Sequence, residues 1–204
     1  MSNPLRTGVQ EFRKSVYPKK KALFEKFAEG QQPHSVFVTC SDSRIDPYLL
    51  TSSEPGDIFV IRTAGNVVPP KGCPASGVSA TIEYAISVLK VGEIVVCGHA
   101  RCGAMDAVTR PETMENLGEV RAWLDHVGTL GAEVNEEGPF PSDEVRLETA
   151  AKRNVNRQLE NLETFDFIQE AMDEGRLRLT GWYYDFVSGQ VEEYDAAADR
   201  YVAV

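Results

Sequence analysis

Two cysteines and one histidine in this sequence are spaced so that they could hold a single metal ion. His99 and Cys102 are separated by two residues, so both side chains of one loop can reach the same ion, and Cys40 lies far away in sequence. Two thiolates and an imidazole favour Zn²⁺ over the hard cations Mg²⁺ and Ca²⁺. Three protein ligands leave one tetrahedral position open for water, which is the arrangement of a catalytic zinc and not of a structural one.

An aspartate and an arginine follow the first cysteine at intervals of two residues, in the segment Cys40-Ser41-Asp42-Ser43-Arg44. Asp42 is close enough to a ligand at Cys40 to be either a fourth ligand or a hydrogen-bond acceptor beside the metal. In an extended turn Arg44 lies on the same side, where its guanidinium can hold the carboxylate at both oxygens and turn it away from the metal. On spacing alone, an ordinary surface ion pair is the alternative.

Neither the other two cysteines nor a motif of a metal-free thiol enzyme offers a competing explanation. Cys97 lies inside an apolar run and Cys73 lies in a loop flanked by Pro and Gly, and we interpret neither as catalytic. A phosphatase-like loop needs Cys-x5-Arg, but Asp46 stands six residues after Cys40, and no Cys-x-x-Cys is present. A non-catalytic zinc module would need a fourth ligand, for which Asp42 is the only nearby candidate.

Three short apolar runs must position these residues. They are rich in Val and Ile, are continuous and not alternating, and cover Val36–Thr39, Ile58–Ile61 and Ile94–Cys97. This pattern is typical of strands covered on both faces, as in a parallel sheet. Cys40 directly follows the first run, and His99 and Cys102 follow the third. Since function sits at the carboxyl ends of parallel strands, we expect the three side chains to meet in one crevice.

Helical patterns surround these strands. Ser76–Lys90 predicts the crossover helix that a parallel pairing requires. Residues 142–174 form the longest helical pattern, with a start signal at Ser142, a stop at Gly175 and Val145 among its predicted buried residues.

The two ends of the chain complete the predicted fold. Residues 7–30 predict one or two helices interrupted at Pro18, and residues 176–184 predict a strand with Gln190–Tyr194 as a partner at the edge. The predicted fold class is α/β, with a central, mainly parallel sheet flanked by helices. We expect a single domain over residues 1–204, of which residues 1–30 form an N-terminal helical arm.

Composition excludes several functional classes. A chain of 204 residues supports one substantial core, and its net charge of −10 argues against a nucleic-acid partner. No run approaches the ~20 apolar residues of a membrane helix, and residues 1–30 contain no apolar segment typical of an export signal. We therefore expect no membrane association and a cytoplasmic protein whose thiols stay reduced.

The motifs together resemble the beta-class carbonic anhydrase family. Cys-x-Asp-x-Arg after one buried strand and Gly-His-x-x-Cys-Gly after a later one carry the resemblance. The resemblance spans roughly residues 31–185, and its motifs follow one another in the same order as in the family. Four further segments match, which are Gln31-Gln32-Pro33, Arg62-Thr63-Ala64-Gly65-Asn66, Ile82-Glu83-Tyr84-Ala85 and Gly181-Trp182-Tyr183-Tyr184.

The resemblance implies a lyase that reversibly hydrates carbon dioxide to bicarbonate and a proton, with zinc-bound hydroxide as the nucleophile. It implies one zinc per chain, held by Cys40, His99 and Cys102, with Asp42 and Arg44 as a catalytic dyad beside it. A hydrolase of carbonyl sulfide or carbon disulfide on the same scaffold is the alternative.

The resemblance also implies substrate contacts and an assembly. Gln31 corresponds to a glutamine that hydrogen-bonds substrate, and Val67, Tyr84 and Gly103 correspond to positions that line the substrate pocket. The N-terminal helical arm would pack on a partner subunit in a homodimer or tetramer.

Overall fold

A six-stranded sheet organises the part of the chain that spans Pro33–Val204. The computed structural model describes residues 3–204, and residue contacts separate this unit from a first unit that ends at Gln32. The strands are β1 (Ser35–Cys40), β2 (Ile58–Thr63), β3 (Glu93–His99), β4 (Arg178–Asp185), β5 (Gln190–Asp195) and β6 (Arg200–Ala203). Their order is β2-β1-β3-β4-β5-β6, with the first four parallel and the last two antiparallel. The predicted α/β class and mainly parallel sheet are confirmed.

The three predicted strands are present, and each is two or three residues longer than its apolar run. All six residues of β1 are buried, because Val36 and Val38 face one apolar cluster and Phe37 faces another on the opposite side of the sheet. Burial on both faces explains why the run does not alternate. The strand β1 pairs with both β2 and β3, so Thr39 lies opposite Cys97 and the carboxyl ends of β1 and β3 are adjacent.

Nine α-helices are described in residues 3–204. Those of the second unit are α3 (Pro47–Thr51), α4 (Gly77–Ser87), α5 (Gly103–Thr109), α6 (Gly118–Leu124), α7 (Leu130–Glu136), α8 (Asp143–Glu163) and α9 (Asp166–Asp173). The predicted crossover helix is α4, which begins after the cap residue Ser76, whose hydroxyl accepts a hydrogen bond from the N–H of Ser79. The helices α5, α6 and α7 were not predicted, because seven residues are too few to establish a helical period.

The long pattern over residues 142–174 forms two helices, so the prediction of one continuous helical segment is wrong. Its start is confirmed, since the Ser142 hydroxyl accepts from the N–H of Val145 at 3.3 Å. The break comes at Thr164, whose hydroxyl donates to the Asn161 carbonyl at 2.6 Å, and Phe165 then adopts an extended conformation. Val145, predicted on the buried side, is 39% exposed.

The carboxyl-terminal strands and the first unit largely follow the sequence pattern. The strands β4 and β5 pair as predicted, and they run antiparallel. The predicted edge position of Gln190–Tyr194 is wrong, because β6 pairs with the other side of β5 and forms the edge. In the first unit, α1 (Pro4–Glu11) and α2 (Tyr17–Phe27) flank a π-helical turn over Phe12–Val16. The interruption thus precedes Pro18, which lacks the N–H of a regular turn.

No helix found among residues 3–204 combines the length and the apolar character needed to cross a bilayer.

Candidate metal centre

The three predicted ligands meet at the carboxyl edge of the sheet. Cys40 is the last residue of β1, His99 is the last residue of β3, and Cys102 directly precedes α5. Their ligand atoms all lie within 4.8 Å of one another, and all three side chains are buried. The crossover topology therefore brings together residues that are about sixty positions apart in sequence.

The His99 ring is oriented for ligation by a backbone contact. Nδ1 lies 2.8 Å from the carbonyl oxygen of Ala100, which can only accept, so Nδ1 carries the proton. The other nitrogen, Nε2, is fully buried and has no hydrogen-bond partner. A buried nitrogen lone pair without a donor is costly unless it binds something, and metal-ligating histidines commonly show this division of roles.

The two thiols next to His99 influence each other in opposite directions. A hydrogen bond from Cys102 and the backbone N–H groups of Asp42 and Gly65 lower the pKa of Cys40, although burial raises it. The Cys40 sulfur and burial raise the pKa of Cys102. A dication held between the two sulfurs would lower both thiol pKa values, so that both could bind it as thiolates.

The residues present fit a zinc ion. Ligand atoms around one tetrahedral zinc lie roughly 3.3–3.8 Å apart, which is compatible with three donors that all fall within 4.8 Å of one another. The set of two sulfurs and one imidazole nitrogen matches the preference of Zn²⁺, and the unpartnered Nε2 of His99 supplies the third donor.

Asp42 and Arg44 form the predicted two-point contact. The guanidinium of Arg44 donates from Nε to Oδ1 at 2.9 Å and from Nη2 to Oδ2 at 2.6 Å, and the Arg44 backbone N–H also donates to Oδ1. These bonds hold the pKa of Asp42 well below its usual range, so the carboxylate is ionised at neutral pH. Oδ2 lies 3.9 Å from Nε2 of His99, which places the carboxylate beside the ligand group.

Arg62 fixes the loop that carries Cys40 and Asp42. Its guanidinium donates to the carbonyl oxygens of Cys40 at 3.1 Å, Asp42 at 2.6 Å and Ile45 at 2.8 Å. The sequence places Arg62 in a family motif but does not reveal this function, because the partners are backbone atoms in a different segment. The contact holds the loop in the conformation in which Asp42 meets Arg44.

A row of buried amides on α8 holds a second loop of the site. Asn154 donates to the carbonyl of Gly65 at 2.8 Å, and Gln158 accepts from the N–H of Val68 at 2.8 Å. Asn161 donates to the carbonyl of Val68 at 2.8 Å, and Gln158 also donates to Asn154 at 2.9 Å. All three amide side chains are buried, and we call them the amide ladder. Their spacing of four and then three residues places them on one face of α8.

The amide ladder positions a segment that contacts the metal centre. The N–H of Gly65 hydrogen-bonds the Cys40 sulfur, while its carbonyl is held by Asn154. At the same segment the indole N–H of Trp123 donates to the Ala64 carbonyl at 2.9 Å. The loop is thus anchored from two helices.

The residues predicted to contact substrate differ from one another in burial and in position. Val67 is fully buried and belongs to the apolar cluster that includes Cys40 and Cys102. Tyr84 is 45% exposed on α4, where its ring lies 6.4 Å from that of Phe59. Gly103 begins α5 and is exposed, and Gln31 lies in the first unit and is exposed. The substrate contacts of these residues stay predictions.

Comparisons with known proteins agree on one family. A family model described as "Carbonic anhydrase" matches residues 35–191. A carbonic anhydrase of Pseudomonas aeruginosa is 44% identical over 197 residues, which cover 97% of this chain and 89% of that protein. A carbonic anhydrase of Synechococcus elongatus is 42% identical over 186 residues, which cover 90% of this chain and 68% of that protein.

Solved structures show the same relationship. The beta-carbonic anhydrase CcaA superposes with a TM-score of 0.94 at 39% identity, covering 98% of this chain and 90% of that one. A structure from a study of two tetrameric beta-carbonic anhydrases of the ascomycete Sordaria macrospora superposes with a TM-score of 0.83 at 29% identity, covering 93% of this chain and 94% of that one.

Proposed function

This chain belongs to the beta-class carbonic anhydrases, and we propose that it hydrates carbon dioxide at a zinc ion held by Cys40, His99 and Cys102. The observation that carries the metal assignment is that Nε2 of His99 is fully buried without a hydrogen-bond partner, in a group whose ligand atoms all lie within 4.8 Å of one another. A zinc ion bound there supplies Lewis-acid activation of water. The remaining steps depend on this chain's own side chains.

Asp42 orients the attacking water. Both of its oxygens are engaged by Arg44, which leaves the carboxylate ionised and able only to accept. By accepting a hydrogen of the attacking oxygen, Asp42 directs the oxygen's lone pair at the carbon of the substrate. Arg44 acts as a positioning residue, because its own position is fixed by a bond to the Arg101 carbonyl at 3.1 Å and by the Phe186 ring 4.6 Å away.

The apolar surface near the ligands suits a small, non-polar substrate. Val67 packs with Cys40 and Cys102 in one buried cluster, so it would exclude bulk water where carbon dioxide binds. Gln31 would donate to an oxygen of the forming bicarbonate, and Tyr84 and Gly103 would complete the pocket. These three contacts rest on the resemblance to the family.

We propose that the protein acts in the cytoplasm as a homodimer or tetramer, with the N-terminal arm packed on a partner subunit. The Sordaria macrospora enzymes are described as tetrameric, which supports assembly of more than one chain. Sedimentation of the purified protein at several concentrations measures the oligomeric state.

A hydration assay on purified protein with quantified zinc tests the function. We expect about one zinc per chain in the wild type. Cys102→Ala should lose both zinc and activity, since two ligands hold the ion poorly. Asp42→Asn should keep its zinc but lose about a hundredfold in hydration rate, which is the lower end of what a positioned proton acceptor contributes.

The matched control is Cys97→Ala. Cys97 is buried two residues before His99, but it packs with Phe37 and Val95 and not in the apolar cluster that contains Cys40 and Cys102. It should keep both zinc and activity. If Cys102→Ala retained zinc and rate, the ligand assignment would be wrong. The same protein is assayed with carbonyl sulfide and carbon disulfide, and a higher rate on either would favour the alternative hydrolase, which none of the compared relatives is named for.

A further inference from the structure

A thiol and an imidazole form a close pair away from the metal centre. The Sγ of Cys73 lies 3.7 Å from Nδ1 of His126, although the two residues are 53 positions apart. The imidazole ring is held edge-on by Trp123, with ring centroids 5.6 Å apart and an interplanar angle of 82°. Trp123 is itself fixed by its hydrogen bond to Ala64. The ring is therefore oriented with a nitrogen toward the sulfur.

Accessibility distinguishes Cys73 from the other cysteines. Cys40, Cys97 and Cys102 are buried, and Cys73 alone is partly exposed. Cys97 illustrates the inert case, because complete burial raises its pKa to about 12. A reagent in solution can thus reach one thiol of the folded chain, and that thiol is the one with an imidazole beside it.

Cys73 also lines a cavity that could receive a small molecule. The cavity has a volume of about 240 Å³, and its walls include the rings of Phe165 and Phe167 together with Lys71. The ammonium of Lys71 is already paired with Asp166 at 2.6 Å, so it offers no free charge to an anion. The lining also includes Ser79 and Glu83, and the carboxylate of Glu83 disfavours an anion, while the proline and phenylalanine side chains suit a small uncharged group.

From this geometry we infer that Cys73 is a thiol-exchange site, activated by His126 and selective for small, uncharged organic disulfides. His126 takes the thiol proton, and the thiolate attacks one sulfur of the disulfide. A new sulfur–sulfur bond forms to Cys73, the original disulfide bond breaks, and the leaving thiolate receives the proton from His126. The net reaction converts Cys73 thiol and one disulfide into a mixed disulfide and one free thiol.

The expected rate effect follows from the loss of a positioned base. Disulfide exchange requires the thiol to give up its proton, and His126 is the group placed 3.7 Å from the sulfur to accept it. Removing the imidazole should therefore slow the exchange by about ten- to thirtyfold, somewhat less than the roughly hundredfold that a general base often contributes.

The experiment measures release of thiopyridone when the zinc-loaded protein reacts with dithiodipyridine, a small uncharged disulfide. We expect one fast equivalent per chain in the wild type, which Cys73→Ser eliminates. His126→Asn and His126→Gln should each retain one accessible thiol but react ten- to thirtyfold more slowly. The matched control is His34→Asn, since His34 contacts Ser35 and not a cysteine, and it should react like the wild type.

Each outcome is decisive. Mass spectrometry of the wild-type adduct should locate the modification on Cys73, and a fast adduct on any other cysteine overturns the proposal. Equal rates for the wild type and both His126 variants would also overturn it, because Cys73 would then be merely accessible. A variant that releases more than one fast equivalent has lost its fold, and the second His126 variant then provides the comparison.

Discussion

The substitution Asn154→Leu tests whether the amide ladder holds the loop beside the metal centre. Leucine keeps the branching at Cγ but neither donates nor accepts a hydrogen bond. It would leave the Gly65 carbonyl without the donor now 2.8 Å away and the Gln158 amide without the acceptor now 2.9 Å away. Asn154 and Gln158 are fully buried, so water cannot easily replace these bonds.

The expected loss of stability is large but compatible with folding. Each buried polar group left unpaired costs about 1–3 kcal/mol, so two groups lower the free energy of unfolding by roughly 2–6 kcal/mol. A domain of this kind typically has about 5–15 kcal/mol. Because the Gly65 N–H hydrogen-bonds the Cys40 sulfur, release of its carbonyl should also weaken zinc binding, by about tenfold.

Denaturant unfolding of the zinc-loaded protein measures the first effect, and competition with a chromophoric chelator measures the second. The control is Glu163→Leu, a comparable change at an exposed position of the same helix, which should alter the free energy of unfolding by less than about 0.5 kcal/mol. If Asn154→Leu behaved like Glu163→Leu in both assays, the amide ladder would not hold the loop beside Cys40.

Two further predictions concern stability. Gly131→Ala should lower the free energy of unfolding by about 1–3 kcal/mol, measured in urea, because a Cβ at this position would lie 2.2 Å from the Val108 carbonyl oxygen. In the control Gly118→Ala, the added Cβ meets nothing within 4 Å, so this variant should not be destabilised. Equal effects of the two substitutions would contradict the prediction. Burial raises the pKa of Asp106, but hydrogen bonds from Arg146 and Arg110 lower it overall. The ionised carboxylate therefore stabilises the fold at pH values above the pKa of an unfolded aspartate, about 3.9, and this contribution is lost as the pH falls below that value. Asp106→Asn should therefore be less stable than the wild type at neutral pH and approach it in acid, and a constant difference across a pH series of urea unfolding would argue against the ion pair.

The convergence of Cys40, His99 and Cys102 could be predicted from the sequence because its signals are local. Cys40 and His99 each end a continuous apolar strand, and the carboxyl ends of neighbouring parallel strands meet at one edge. The contact between Asp42 and Arg44 was likewise predictable, since the two residues share one short turn. In each case the partner is fixed by a few adjacent residues or by strand order alone.

The supporting contacts could not be predicted for a different reason. Asn154 and Gln158 are polar residues on a helix, and such residues usually face water, so periodicity assigns the buried face from apolar residues alone. Their burial depends on unpaired backbone groups of a loop about 90 residues away, which no local pattern reveals. The same limit explains Val145, whose apolar side chain fits the stripe but lies near the exposed start of α8.

The two loops beside the candidate metal centre are held by side chains that bind backbone atoms. Arg62 engages three carbonyls of the Cys40 loop, and Asn154 engages the carbonyl of Gly65. Because these bonds fix peptide planes, they determine where the Cys40 sulfur lies before any ion binds. A ligand set arranged in this way loses little conformational entropy on binding, so more of the intrinsic affinity of two thiolates and an imidazole is retained. It follows that the geometry of the candidate metal centre depends on residues outside the group of Cys40, His99 and Cys102.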